Sequence, residues 1–272
     1  MKYRDYFGCD CSELCDKKLF LLDMDGTIYE ENRLFDGTLT LLEKIKAKGG
    51  RYVFITNNSS KSVADYIKKV TDMGIEADED SFFTSSQATV MYLKENHPDA
   101  IVYCQGTHSL VEELEKSGIN VVCDVDERAS VVLVGFDTEI TGQKLRNTCE
   151  MLGKDVTFIA TNPDMTCPVS FGFIPDCGSM CYMLEVATGK KPIYIGKPEP
   201  TMVNIVCEKF KYSKEETVVI GDRIYTDVAA GLNAGVSAVC VLSGEVKLKD
   251  IEESDIKPSY TLESVKNYAD ML

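Results

Sequence analysis

Short apolar, β-branched runs recur along the chain: LFLL (19–22), YVFI (52–55), AIVYC (100–104), VVLVG (131–135), TFIAT (157–161), IYIG (193–196), TVVIG (217–221) and VSAVCVL (236–242). Between them the apolar positions take helical spacing. After TNNSSK, Val63, Tyr66, Ile67, Val70 and Met73 fall on one helix face, with Asn and Ser at its start and Gly74 just past its end. Similar patterns predict helices at 38–48, 86–96, 108–117, 141–152, 179–188, 200–210 and 226–233. Strands apolar on both faces, alternating with helices, argue for a parallel sheet covered on two sides, so the predicted class is α/β.

No segment repeats at a fixed period and none is of low complexity. Two places interrupt the alternation: NHPDA at 96–100, and PVSFGFIPDCGS at 168–179, which is rich in Gly, Pro and Ser. At 272 residues the chain exceeds the commonest single-domain size. The breaks divide it into a core formed by 1–97 and 181–272, with 98–180 as an insert and the two flanks completing one sheet.

Composition narrows the partners. With 29 Lys and Arg against 44 Asp and Glu, a formal charge of -15 opposes general attraction to nucleic acid or to an anionic membrane surface. An anionic small substrate then requires a local cation. No stretch approaches the ~20 apolar residues of a membrane span, and the charged start MKYRDYFGCDCSELCDKK lacks the apolar region of a secretory signal. A cytoplasmic location is expected, and there the odd number of cysteines, 11, reads as reduced thiols. Cys9, Cys11 and Cys15, and again Cys167, Cys177 and Cys181, cluster without C-x2-C spacing or a neighbouring histidine, which argues against zinc. With only His97 and His108 present, histidine catalysis has few candidates.

The chemistry gathers at strand ends. Asp23 follows LFLL, Thr56 follows YVFI, Lys197 follows IYIG and Asp222 follows VVIG. In an open parallel sheet the carboxyl ends of the strands form the ligand crevice, so these four positions are expected to converge. Asp23, Asp25, Asp222 and Asp227 offer hard oxygens suited to Mg2+, and a divalent cation would resolve the repulsion between Asp23 and Asp25. Thr56 and Lys197 are donors fit for phosphoryl oxygens, and TNNSSK leads from a strand into a helix, whose first N–H groups bind anions. Together these describe phosphoryl transfer. Asp23, nearest its strand end, is the candidate nucleophile for an aspartyl-phosphate; Asp25 can protonate the leaving oxygen and later take a proton from water. Each motif alone also reads as a turn or a helix cap, and the conjunction in this order is what favours chemistry.

DMDGT, TNNSSK, GKPEP and GDRIYTD resemble the haloacid dehalogenase superfamily, specifically its class IIA capped phosphatases of the NagD-like and 4-nitrophenylphosphatase-like group. The resemblance covers nearly all of the chain from Lys18 onward. It implies a Rossmann-like parallel-sheet core with an inserted α/β cap that sorts substrates. It also implies Asp23 as nucleophile and metal ligand, and Asp25 as acid/base and as a metal ligand through its backbone carbonyl. Asp222 would be the third ligand, with Asp227 supporting the metal shell or Lys197. Thr56 and Asn57 would hold the phosphoryl group, and Lys197 would neutralise the nucleophile and the transferring phosphate. Asp25 favours phosphatase over dehalogenase chemistry, because members that cleave halides lack an acid there. The stretch ATNPDMTCPVSFGFIPDCGS matches the group's cap loop, with Asn162 and Asp164 as contributors to substrate contact or loop order. At PDCGS, Asp176 replaces the glycine usual after that proline, and residues 1–17 are longer than the usual lead-in.

The expected function is Mg2+-dependent hydrolysis of a small phosphorylated metabolite, with nucleoside monophosphates, sugar phosphates and pyridoxal phosphate as candidate classes. Dimers through the cap are familiar in similar proteins, so a homodimer is admitted. The competing readings are a phosphotransferase or phosphomutase on the same fold, a non-hydrolytic phospho-acceptor, and a metal-dependent binding protein. An acid two residues after the phosphorylated Asp argues against the phospho-acceptor.

Overall fold

The computed structural model describes residues 3–169 and 171–272; the first two residues of the lead-in and Ser170 of the expected cap loop lie outside the described residues. Along the chain come β1 (Leu19–Leu22), β2 (Tyr29–Glu30), β3 (Arg33–Leu34), α1 (Thr38–Ala47), β4 (Arg51–Thr56), α2 (Val63–Asp72), β5 (Phe82–Thr84) and α3 (Ser85–Asn96). Next are β6 (Ile101–Gln105), α4 (His108–Lys116), β7 (Asn120–Val122), β8 (Val131–Val134), α5 (Gly142–Leu152) and β9 (Thr157–Ala160). Then come β10 (Thr166–Val169), β11 (Gly172–Pro175), α6 (Cys177–Thr188), β12 (Ile193–Tyr194), α7 (Thr201–Phe210), β13 (Thr217–Gly221) and α8 (Ala229–Ala234). The chain closes with β14 (Ser237–Val241), α9 (Leu248–Glu253), β15 (Tyr260–Leu262) and α10 (Val265–Met271).

Two compact units form. The first takes Met1–Thr56, Ile67–Phe83 and Lys197–Leu272; the second takes Asn57–Tyr66 and Thr84–Gly196. The first holds a six-stranded sheet in the order β15-β14-β13-β1-β4-β5. β1 is parallel to β13 on one side and to β4 on the other, with Leu22 level with both Ile220 and Phe54. Every residue of β1 and β13 is buried, as parallel strands covered on both faces require. Because β1 has β4 on one side and β13 on the other, the sheet reverses its winding at β1. A crevice opens at the carboxyl end of such a strand.

The lead-in has a place in this unit. Tyr6 N–H donates to Thr261 O at 2.7 Å along the edge strand β15, and the Tyr268 hydroxyl donates to Leu14 O at 2.7 Å. Cys11 and Leu14 are fully buried, so the segment both occupies an exposed sheet edge and contributes apolar surface to the core.

The second unit carries a five-stranded parallel sheet in the order β12-β9-β8-β6-β7 and an antiparallel hairpin of β10 and β11. Cys177, Met180, Cys181 and Leu184 of α6 bury against Tyr103, Val134 and Phe158 of this sheet, and Tyr194 of β12 packs on the same core. The unit therefore reaches beyond the insert expected at 98–180 on both sides, taking in 57–66 and α3, which were expected in the core, as well as α6 and β12; the apolar face of α6 is spent on this sheet. The Gly- and Pro-rich stretch expected as a boundary forms the hairpin instead. Asp176 begins α6 as its cap, its carboxylate accepting from Cys177 N–H at 2.5 Å with φ of -103°, a conformation that does not call for glycine. Gly178 is the constrained position: a Cβ there would lie 2.2 Å from Pro163 O.

The predicted long elements are present within one or two residues, apart from the helix expected at 226–233. There the chain makes a wider, π-helical turn at Ile224–Val228 before α8. Such single turns are rare and are frequent at functional sites. Among the described residues no helix is long and apolar enough to cross a membrane.

Candidate active site

Asp23 leaves the end of β1 with its own N–H bonded to Ile220 O at 2.8 Å, tying it to the neighbouring strand. Lys197 Nζ donates to Asp23 Oδ1 at 2.5 Å, to Asp227 Oδ1 at 2.5 Å and to Ile55 O at 3.2 Å. The lysine side chain is 2% exposed and that of Asp227 is 1% exposed, so this is a buried, charge-assisted bridge. The π-helical turn serves it. It brings Asp227 Oδ2 within 3.2 Å of Arg223 N–H while Oδ1 meets the lysine.

Asp222 is held from the other side. Its Oδ2 accepts from Glu245 N–H at 2.7 Å, and Thr27 Oγ1 donates to Oδ1 at 3.5 Å. Two glycines leave the room it needs: a Cβ on Gly26 would lie 2.4 Å from Asp222 Oδ2, and one on Gly244 would lie 2.0 Å from it. Gly26 also has φ of +83°, a backbone conformation that side chains disfavour.

Asp23, Asp222 and Asp227 bring one carboxylate oxygen each to within 4.8 Å of one another. Lys197 bridges only two of the three carboxylates, and the third, Asp222, has the Glu245 N–H and the charge of Arg223 in its favour. Burial, and then the charge of Asp227, hold the Asp23 carboxyl well above the usual carboxylate range, against the pull of Lys197. Burial and Asp227 push Asp222 up to about 7, opposed by the Glu245 N–H. Burial alone would drive Lys197 down, yet Asp227 and Asp23 reverse this and raise it above its ordinary value. Three hard-oxygen carboxylates gathered this closely fit a divalent, oxygen-preferring cation.

Asp25 stands apart from this group. Its side chain is 48% exposed, with Lys69 Nζ 3.8 Å from Oδ1 and the Tyr29 hydroxyl donating to Oδ2 at 3.3 Å. Thr56, the last residue of β4, is buried. The structure thus gathers Asp23, Lys197, Asp222 and Asp227 into one cluster, with Asp25 two residues from Asp23.

Asn57, Asn162 and Asp164 gather in the second unit. Asn162 Nδ2 donates to Asn57 O at 2.7 Å, Asn57 Nδ2 to Asp164 Oδ1 at 3.3 Å, and Asp164 N–H to Asn162 Oδ1 at 3.0 Å. All three are buried and bonded to one another, which ties the segment after β4 to the loop after β9.

Sequence reasoning passed over Gly244 and Glu245, which shape and bond Asp222. They follow the VSAVCVL strand, so the strand-end rule that selected Asp23 and Lys197 would have selected them too. Lys69 carried no such signal, since it meets Asp25 only through the packing of α2, whereas Tyr29 lies four residues after Asp25 and reaches it across the turn that follows β1.

Residues 20–120 match the family Haloacid dehalogenase-like hydrolase, and residues 194–268 match a HAD-hydrolase-like family. The acid sugar phosphatase of Staphylococcus aureus (strain MRSA252) is 33% identical over 248 residues, 91% of this chain and 95% of its own. Among solved structures, the 4-nitrophenylphosphatase of Thermotoga maritima matches with a TM-score of 0.89 at 38% identity, covering 94% of this chain and 98% of its own. NagD from E. coli K-12 matches with a TM-score of 0.83 at 32% identity, covering 92% and 97%.

Proposed function

Because this chain belongs to the haloacid dehalogenase-like hydrolases and is a phosphatase, we propose that it hydrolyses small organic phosphomonoesters with Mg2+, through an aspartyl-phosphate on Asp23. The observation that carries this reading is the buried Lys197 bridging Asp23 and Asp227, at 2.5 Å each, beside Asp222. Such a cluster presents one attacking carboxylate at a strand end and surrounds it with compensating charge.

In the first half-reaction an Asp23 oxygen forms a bond to phosphorus as the ester P–O bond breaks. The leaving oxygen keeps the electron pair and takes a proton from Asp25. In the second, a water attacks the aspartyl-phosphate and gives its proton to the Asp25 carboxylate. The P–O bond to Asp23 breaks, and its electron pair returns to the carboxylate. Lys197 offsets charge on Asp23 and on the phosphoryl oxygens throughout, with Thr56 and Asn57 assigned to hold those oxygens. Mg2+, held by Asp23, Asp222 and the backbone carbonyl of Asp25 with Asp227 in support, would supply further positive charge to the phosphoryl group.

We assign the second unit the role of a cap that sorts substrates, and its Asn57–Asn162–Asp164 network the role of ordering the cap loop. The relative named an acid sugar phosphatase supports sugar phosphates as the class to test first. The test is a broad phosphate-ester panel with Mg2+, run on wild type and on Asp23→Asn. Turnover of some esters by wild type and a loss of about 1,000-fold or more in the variant are expected. Activity unchanged in Asp23→Asn would overturn the mechanism, and no hydrolysis of any ester would overturn the function.

A further inference from the structure

The loop after β14 closes over Asp222 and is itself tied down by two side chains that the phosphatase chemistry described above does not use. Glu245 N–H donates to Asp222 Oδ2 at 2.7 Å, and Val246 N–H donates to Asp222 O at 3.3 Å. The loop comes this close because residue 244 is glycine, where a Cβ would lie 2.0 Å from Asp222 Oδ2. A glycine also leaves the loop backbone free to turn, so another group has to fix it. The Glu245 side chain does so. Arg223 Nε lies 2.9 Å from Glu245 Oε2, and the Tyr225 hydroxyl donates to Oε1 at 3.3 Å. The Arg223 and Glu245 side chains are 14% and 31% exposed, so the pair is better shielded than an ion pair between freely moving surface side chains. The contacts form a ring: Asp222 is joined by its peptide bond to Arg223, Arg223 holds Glu245, and the Glu245 N–H returns to the Asp222 carboxylate.

We infer that Arg223 and Tyr225 are positioning residues for Mg2+ binding, acting through Glu245 to hold the Asp222 carboxylate in place. The inference rests on the reading of Asp222 as a metal ligand. Neither of the two side chains is itself a ligand, and the guanidinium, being positive, repels a cation. The two effects of Arg223 therefore have opposite signs. By charge alone its removal tightens Mg2+ binding, whereas by position its removal loosens the donor that orients a ligand and weakens binding. Tyr225 is uncharged, so its effect is positional only.

Isothermal titration calorimetry with MgCl2 and the Mg2+-induced rise in Tm, both on the full chain at fixed ionic strength, compare wild type, Arg223→Met, Arg223→Lys, Tyr225→Phe and Asp222→Asn. Arg223→Met is expected to raise the Mg2+ dissociation constant about tenfold and Tyr225→Phe about threefold. Arg223→Lys, which keeps a cation in reach of Glu245 Oε2, is expected to return to within about threefold of wild type. An unchanged or tighter dissociation constant in Arg223→Met overturns the inference, since charge alone then accounts for the residue, as does a lysine variant no better than methionine. If Arg223→Met does not fold, Tyr225→Phe decides, because that ring is 44% exposed and its hydroxyl can be removed without opening the core. Wild-type affinity in Tyr225→Phe then overturns the inference. Asp222→Asn separates the two levels. No Mg2+ binding by wild type, or equal binding by Asp222→Asn, overturns the metal reading and the inference with it. Binding that is lost in Asp222→Asn and unchanged in the Arg223 and Tyr225 variants overturns the inference alone.

Discussion

Glu113 and the site aspartates show two outcomes of burying a carboxylate. Asp227 is answered by Lys197 at 2.5 Å and by the Arg223 N–H at 3.2 Å. Glu113, on α4, has a buried Oε2 without a hydrogen-bond partner, and burial pushes its carboxyl up to about 7 against the weaker pull of Lys116. Between its ordinary value of 4.5 and about 7 the folded chain holds a proton there that the unfolded chain has released. Stability must therefore fall as pH rises through that window, because the unfolded state binds fewer protons. For a side chain that keeps some solvent contact the loss is about 1–3 kcal/mol. Glu113→Gln is expected to flatten this slope and to be the more stable protein at about pH 8, with little difference at about pH 4.5. Urea unfolding of both proteins at the two pH values checks it, and parallel curves would remove Glu113 as the cause.

At the scale of elements, the strands bearing chemistry were legible and the short edge pieces were not. LFLL and TVVIG are buried on both faces, so their composition announces them. The edge strands β5, β7 and β15 have three residues each and carry too few positions to show a period. The hairpin of β10 and β11 hides behind Pro168, Gly172 and Pro175, residues that ordinarily read as loop. The π-helical turn is invisible to a period of 3.6, although Asp227 was already picked out by its type. The lead-in, unassigned by sequence, is an element in its own right through Tyr6 on β15 and Leu14 under Tyr268. Deleting residues 3–16 would uncover the β15 edge and remove the buried Cys11 and Leu14. The expected result is a Tm lower by about 5–10 °C and concentration-dependent aggregation on heating. Scanning calorimetry and light scattering measure these, and an unchanged Tm would show that the segment does not stabilise the core.

For the whole molecule, a charge of -15 is carried together with a buried cluster that is itself acidic, so cation binding should steady the fold as well as enable catalysis. EDTA is expected to abolish ester hydrolysis and Mg2+ to restore it. Saturating Mg2+ should add about 2–3 kcal/mol of stability at one hundred times its dissociation constant. Full activity in EDTA would contradict a metal site at Asp23 and Asp222. The sequence by itself determined the α/β class, the positions of the long strands and the identity of the polar groups at their ends. Those follow from local composition and from the rule that ligands gather at the carboxyl ends of parallel strands. Only the tertiary structure decided which of those groups meet. The Lys197 bridge, the glycine cradle around Asp222 and the approach of Lys69 to Asp25 all join residues far apart in the chain. Their contacts depend on strand order and helix packing, and no local pattern encodes either one.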